Sequence, residues 1–203
     1  HTGMPVLILA PLCVSLQIKR EGEKYGFDST IIRESSEVKS GINIANYEIL
    51  HKIDTSVFSG VVLDESSILK GMQGKMRALI TESFRHTPYK LSASATPSPN
   101  DYMELGTQSE FLGIMSQTEM LATFFIHDGG DTAKWRLKGH GKKRFFEWLA
   151  TWAIIMRDPS VFGFESKPTL PPLEIIQVTI DSGITDGLLP ALAQSLQERQ
   201  AAR

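Results

Sequence analysis

Only one cysteine, Cys13, occurs in the 203 residues, which excludes an internal disulfide and fits a reducing compartment. With no recognisable base partner nearby, that thiol is expected to be an inert packed side chain. No stretch of about 18 apolar residues is present, and the N-terminus lacks the basic-then-apolar layout of a signal peptide, so a soluble, cytoplasmic protein is expected. Neither sign of charge dominates: 21 Lys and Arg stand against 23 Asp and Glu, for a formal net charge of −2. Overall attraction to polyanions is thereby excluded, and contact with one would have to come from a local patch. The five histidines, at 1, 51, 86, 127 and 140, have no ligand spacing, which argues against a zinc site. A phosphate-cradling glycine loop is also missing. In Gly71-Met72-Gln73-Gly74-Lys75-Met76 two residues separate the glycines instead of four, and Met76 takes the place of the metal-binding hydroxyl. Gly139-His140-Gly141-Lys142-Lys143 has no buried strand before it. His1-Thr2-Gly3-Met4 puts the first methionine fourth, as expected of an internal fragment or a short added leader.

Composition is otherwise that of a globular domain, with 41% apolar and 22% charged residues, enough to bury a core. Val6 to Ala10, halted by Pro11, reads as a buried parallel strand. A helix is expected from Leu12 to Tyr25, stopping at Gly26. Strands are expected at Ser29 to Arg33, Ile42 to Ala45, Gly60 to Leu63 and Lys90 to Ala95. Met76, Leu79, Ile80 and Phe84 mark an amphipathic helix within Met72 to His86. Strands alternating with helices imply an α/β fold, a parallel sheet with helices on both faces, whose ligands gather at the carboxyl ends of the strands. Beyond Pro99 the pattern turns mainly helical. Ser116-Gln117-Thr118-Glu119 forms a capping box that opens a helix through Phe125, and Asp128 to Asp131 reads as a loop. Phe145, Trp148, Leu149, Trp152 and Met156 line one face of a helix running from Phe145 to Met156. Glu174 to Ile180 is a strand candidate and Leu188 to Gln200 a terminal helix. The expected division is 1–165 for the main lobe and 166–203 for a linker and the start of another.

Chemistry concentrates at two strand ends. Asp64 and Glu65 emerge where the Gly60 to Leu63 strand stops, and adjacent carboxylates there can hold magnesium through its water shell and polarise an attacking water. A helix cap or turn pair is the alternative for the same residues. Ser94 and Thr96 end the next strand, where hydroxyls could hydrogen-bond the carboxylates and, as nucleotide-binding residues, sense the γ-phosphate. A second candidate is the cluster Lys134, Arg136, Lys138, Lys142, Lys143 and Arg144, accompanied by Trp135 and His140 and free of acids between its ends. Positive charge near a helix start opposes the helix dipole, so local stability does not explain it. Phosphate contact does, with Trp135 available to stack on a base. A solvated basic loop is the plainer alternative.

Val61-Val62-Leu63-Asp64-Glu65-Ser66-Ser67 resembles motif II, the Walker B segment, of superfamily 2 helicases. Leu91-Ser92-Ala93-Ser94-Ala95-Thr96-Pro97, continuing through Asn100, Glu104-Leu105 and Phe111-Leu112, is similar to motif III and its sequel in Swi/Snf-type and phage DEAD-like helicases. Leu7-Ile8-Leu9-Ala10-Pro11 with Gln17 and Glu21 is similar to motif Ia, Asn46-Tyr47-Glu48 to motif Ib, and Ile68-Leu69-Lys70 to the basic segment after motif II. Trp152 to Arg157, then Pro159, resembles the end of the first motor lobe.

The resemblance implies an incomplete first RecA-like lobe followed by a helical extension. It implies that Asp64 binds Mg2+ and ATP, that Glu65 activates water, and that Ser94 and Thr96 couple hydrolysis to nucleic acid. Pro11, Gln17 and Lys70, together with Lys134, Trp135, Arg136, Lys142, Lys143 and Arg144, are the expected nucleic-acid contacts. The partners implied are DNA, with RNA as the other possible track, and the remainder of the motor including its second RecA-like lobe, in a host cytoplasm if phage-encoded; no membrane is implied. Lacking the phosphate loop and the second lobe's arginine finger, this piece alone is expected to be inactive. The rival reading is a non-catalytic nucleic-acid-binding or scaffolding module. A metal-dependent phosphohydrolase is a third, short of ligands at other strand ends.

Overall fold

The structure is a computed structural model that describes residues 3–69, 74–98, 101–128, 131–156, 160, 163–165, 173–176, 185–186 and 189–190. Its centre is a five-stranded parallel sheet of β1 (Val6–Ala10), β2 (Ser29–Ile31), β3 (Ile42–Asn46), β4 (Gly60–Leu63) and β5 (Tyr89–Ser92), in the order β2-β3-β1-β4-β5. The continuous apolar runs of β1 and β4 put them in the middle, where both faces can be covered. Leu7 pairs with Val61 and Leu9 with Leu63, and these four fill one face with Tyr47, Leu50, Phe58, Leu69, Ile80, Phe84 and Phe111. Helix α2 (Gly74–Ser83) brings Ile80 to that core, and α3 (Leu105–Leu112) brings Phe111. Helix α1 (Ser15–Lys24) packs instead on β2 and β3. It ends before Gly26, whose φ of 79° only glycine adopts readily.

The chain leaves β1 towards β2 and β3, then crosses back over β1 to reach β4 and β5. Strand order therefore reverses between β1 and β4. Their carboxyl ends frame the crevice where open α/β sheets hold ligands. On the other side of the sheet Ile8, Val62 and Leu91 share one register row, and Val6, Gly60 and Tyr89 another. This flank is bare towards β5: Leu91 is 57% and Tyr89 63% exposed.

A second core follows the sheet. Helix α4 (Gln117–Phe124) opens with the expected capping box: Ser116 Oγ accepts from the Glu119 amide at 3.2 Å, while the Ser116 amide donates to the Glu119 carboxylate at 3.0 Å. Helix α3 closes on Gly113, in the left-handed region, with the Ile114 amide returning to the Ser109 carbonyl at 3.0 Å. After α4 comes an antiparallel ribbon, β6 (Phe125–Asp128) with β7 (Asp131–Leu137), and then α5 (Lys142–Ala150). Phe145 is fully buried at the hub, its ring 5.4 Å from Phe124 and 5.7 Å from both Phe125 and Trp148.

The region after Pro99 is therefore not only helical. The ribbon stands where a helix end and a basic loop are expected, and α5 begins three residues earlier and ends six residues earlier than Phe145 to Met156. Met156 is 59% exposed and belongs to no helix face. Trp148 and Trp152 pack half-buried on the second core. Residues His1–Ile154 form one compact unit and Ile155–Arg203 another. In the latter, β8 (Thr185–Asp186) pairs with β9 (Leu189–Pro190), so Leu189 and Pro190 are not helical; residues 173–176 carry no regular structure. The rest of the expected strand and helix there, 177–180, 188 and 191–200, lies outside the described residues.

Candidate functional site

Four strand ends meet at the carboxyl rim. The Asp64 amide donates to the Leu9 carbonyl at 2.8 Å, the Ala93 amide to the Leu63 carbonyl at 2.9 Å, and the Ser66 amide to the Ala93 carbonyl at 2.8 Å. The turn after β4 is thus stitched between β1 and the turn after β5. On the α1 side, Ser15 Oγ donates to Asn46 Oδ1 at 2.7 Å and joins β3 to the same rim.

Glu65 is the residue the turn is built around. Its φ is +53°, a left-handed conformation that side-chain-bearing residues rarely occupy and that costs about 1–2 kcal/mol. Its carboxylate accepts from Ser67 Oγ at 2.5 Å and from Ser94 Oγ at 3.2 Å, and Ser94 Oγ in turn accepts from the Thr96 amide at 3.1 Å. The acidic pair and the Ser-Ala-Thr turn therefore lie side by side. Both Asp64 and Glu65 are half-buried, so they keep access to solvent.

Two supporting residues stand outside the expected site. Tyr47, 2% exposed, donates its phenol to the Asp64 carbonyl at 2.8 Å. Gln108, on α3 and 4% exposed, donates its amide to the Ser66 carbonyl at 2.9 Å and accepts from Ser92 Oγ. Gln108→Leu removes both contacts, while the Ser66 carbonyl keeps its place in the 3₁₀ turn Ser66–Leu69 and the Ser92 hydroxyl is only half-buried. A loss of about 1–3 kcal/mol is therefore expected in urea denaturation. A loss below about 1 kcal/mol would show that the clamp is dispensable.

Burial first, then the charges of Asp64 and Glu65, raise the Tyr47 phenol well above its ordinary value. The unfolded chain then deprotonates before the folded one. This contribution to stability is complete below pH about 10 and is lost above it, by about 1.4 kcal/mol per pH unit until the folded phenol titrates. Tyr47→Phe removes the loss. The stability advantage of wild type over the variant should be about 1.4 kcal/mol smaller at pH 11 than at pH 9; a constant difference would contradict the linkage.

The expected nucleic-acid contacts come from several separate elements. Pro11 is half-buried at the end of β1, and Gln17 is exposed on α1. Lys70 and the side chain of Lys134 lie outside the described residues. Lys138 donates to the Ala122 and Thr123 carbonyls, both at 2.9 Å, and so caps α4. Lys143 lies 3.7 Å from Glu147 on the next helical turn, an exposed pair. Lys142, Lys143 and Arg144 form the first turn of α5 rather than a loop, all exposed, with Arg136 exposed on β7 and Trp135 half-buried beside it. Cys13, expected to be packed, is exposed in the turn after β1, because Pro11 ends the strand and the next residues turn outwards.

Among the described residues no group of three His, Cys, Asp or Glu could hold a metal ion by itself. Magnesium bound through one or two carboxylates, water and substrate phosphates needs no such group, and Asp64 at a strand end fits that donor set. Neither a protein-family model nor a curated protein matches the chain. No helix among the described residues is long and apolar enough to cross a membrane.

Proposed function

We propose that this chain is the larger part of the first RecA-like lobe of a superfamily 2, Swi/Snf-like helicase or translocase, in which ATP hydrolysis drives movement along nucleic acid. The observation that carries the reading is Glu65: a carboxylate in a strained turn, aimed by hydroxyls from two separate turns, at the point where strand order reverses. Strain of this kind persists where neighbouring structure enforces it, and it concentrates at functional sites. Asp64 would hold magnesium-bound ATP, which supplies the phosphoryl group to be cleaved. Glu65 would take the proton of the attacking water, and Ser94 and Thr96 would couple that carboxylate to the end of β5.

The reading requires a Gly-Lys-Thr or Gly-Lys-Ser loop, which these 203 residues do not contain. The bare flank at Leu91 and Tyr89, next to the open edge of β5, supports it, since a further strand and helix would bury that apolar surface. The test is DNA-stimulated ATP turnover in the polypeptide that joins the phosphate loop to these residues, wild type against Glu65→Gln. Loss of turnover in the variant is expected, and unchanged turnover would refute the role of Glu65. The 203-residue chain alone should hydrolyse no ATP; clear turnover from it would overturn the need for the loop.

A further inference from the structure

A cleft of about 460 Å³ opens in the second part of the same unit, away from the acidic turn in sequence and lined by Ser98, Asp101, Tyr102, Trp135, Arg136 and Leu137. We infer that it receives one unpaired base of a single-stranded nucleic acid. The inference rests on the nucleic-acid reading above and narrows it to a strand type and a place.

Two aromatic residues distant in sequence line the cleft. Tyr102 is 43% exposed yet fixed from behind, its ring edge-on to Phe146 at 5.5 Å and tilted on Phe145 at 5.9 Å. Trp135 comes from β7 and packs partly on the second core. Rings held by packing are stacking platforms that lose little freedom when a base arrives.

The charges of the cleft select the occupant. Arg136 and Asp101 both line it, so it is no pocket for a bare phosphate. A flat uncharged heterocycle with polar edges suits a wall of rings, one guanidinium, one carboxylate and the hydroxyl of Ser98. Phosphates have a separate place. The Phe145 and Phe146 rings that hold Tyr102 directly follow Lys142-Lys143-Arg144, the exposed first turn of α5. That turn carries three exposed cations, which attract a phosphodiester. A base in the cleft and its neighbouring phosphates on α5 are compatible for an unpaired strand. In a duplex the base faces are already stacked and the pairing edges already used, so none can enter without unpairing.

The test titrates the full chain with a fluorescently labelled oligothymidine and with a blunt duplex of equal length, following anisotropy. Single-strand affinity should exceed duplex affinity at least about tenfold. Tyr102→Leu and Trp135→Ala should each weaken single-strand binding by about five- to 150-fold, with Trp135→Phe restoring most of it. Lys142→Ala with Arg144→Ala should weaken both ligands and reduce the single-strand salt slope by about 1.4. In wild type, which needs no altered core, a 4-thiothymine oligonucleotide should photo-cross-link at Tyr102 or Trp135. Equal affinity for the two ligands, with cross-links confined to Lys142–Arg144, would overturn the base cleft and leave the basic turn as a phosphate contact. Binding to neither ligand would overturn both.

Discussion

Glu65→Gln should lower DNA-stimulated ATP hydrolysis by about a hundred- to ten-thousand-fold in the polypeptide that supplies the phosphate loop, because an amide cannot accept the proton of an attacking water. Its carbonyl oxygen can still accept from Ser67 and Ser94, so thermal stability should hardly move. Glu65→Gly sharpens the comparison. Glycine occupies the +53° backbone without steric strain, which offsets the two hydroxyl contacts it removes, so this variant should lose the same turnover while staying within about 2 kcal/mol of wild type. Ser94→Ala removes the longer of the two contacts, leaves Ser67 at 2.5 Å, and should cost turnover much less than Glu65→Gln. Steady-state ATPase assays with melting curves on the same samples check all three. Parallel loss of activity and stability in Glu65→Gln would make Glu65 a structural turn residue and sink the catalytic assignment.

Phe145→Ala should destabilise the chain by about 3–5 kcal/mol, the range for emptying a buried aromatic site. Phe145 is fully buried and touches rings from several elements of the second core: Tyr102 before α3, Phe124 on α4, Phe125 on β6, and Phe146 and Trp148 on α5. Collapse around the gap is hindered because those rings already set each other's positions. Tyr102 would lose one of its two ring supports. Urea denaturation of wild type and variant gives the number; a loss under about 1.5 kcal/mol would mean that the cluster repacks freely.

Much of the fold could be read from residues alone where one physical cause dominates. Val6 to Ala10 and Gly60 to Leu63 are short apolar runs that only a strand covered on both faces explains, and both are central strands. Ser116 and Glu119 announce their cap because both halves of the box sit three residues apart. The ribbon β6–β7 is hidden in the sequence because Phe125 and Ile126 prolong the apolar pattern of α4. Gly129-Gly130 is a turn signal, but Lys134 to Arg144 after it reads as charge rather than as alternation. The start of α5 lies before the expected one for a related reason. Lys and Arg are good helix formers, and that preference outweighs the unfavourable dipole. Lys138 shows the limit of counting charges, since its ammonium is occupied by two carbonyls of α4.

At the candidate site the acidic pair and the hydroxyl turn could be named in advance, but their supports could not. Tyr47 reaches a carbonyl 17 residues away and Gln108 one 42 residues away, contacts that exist only once the sheet is assembled. The one hint for Gln108 is compositional: Gly106, Thr107, Gln108 and Ser109 form an unusually polar stretch for a helix on which all four are buried. The left-handed turn at Glu65 has no sequence signature, because the residues that normally mark it are glycine and asparagine.

The scaffold beneath the acidic turn consists of a phenol, a carboxamide and hydroxyls: Tyr47, Gln108, Ser92, Ser67 and Ser94. None of these groups changes charge between mildly acid and mildly alkaline conditions. A titration seen at the rim across that range would therefore have its origin outside this platform, which keeps its charge and its hydrogen bonds throughout.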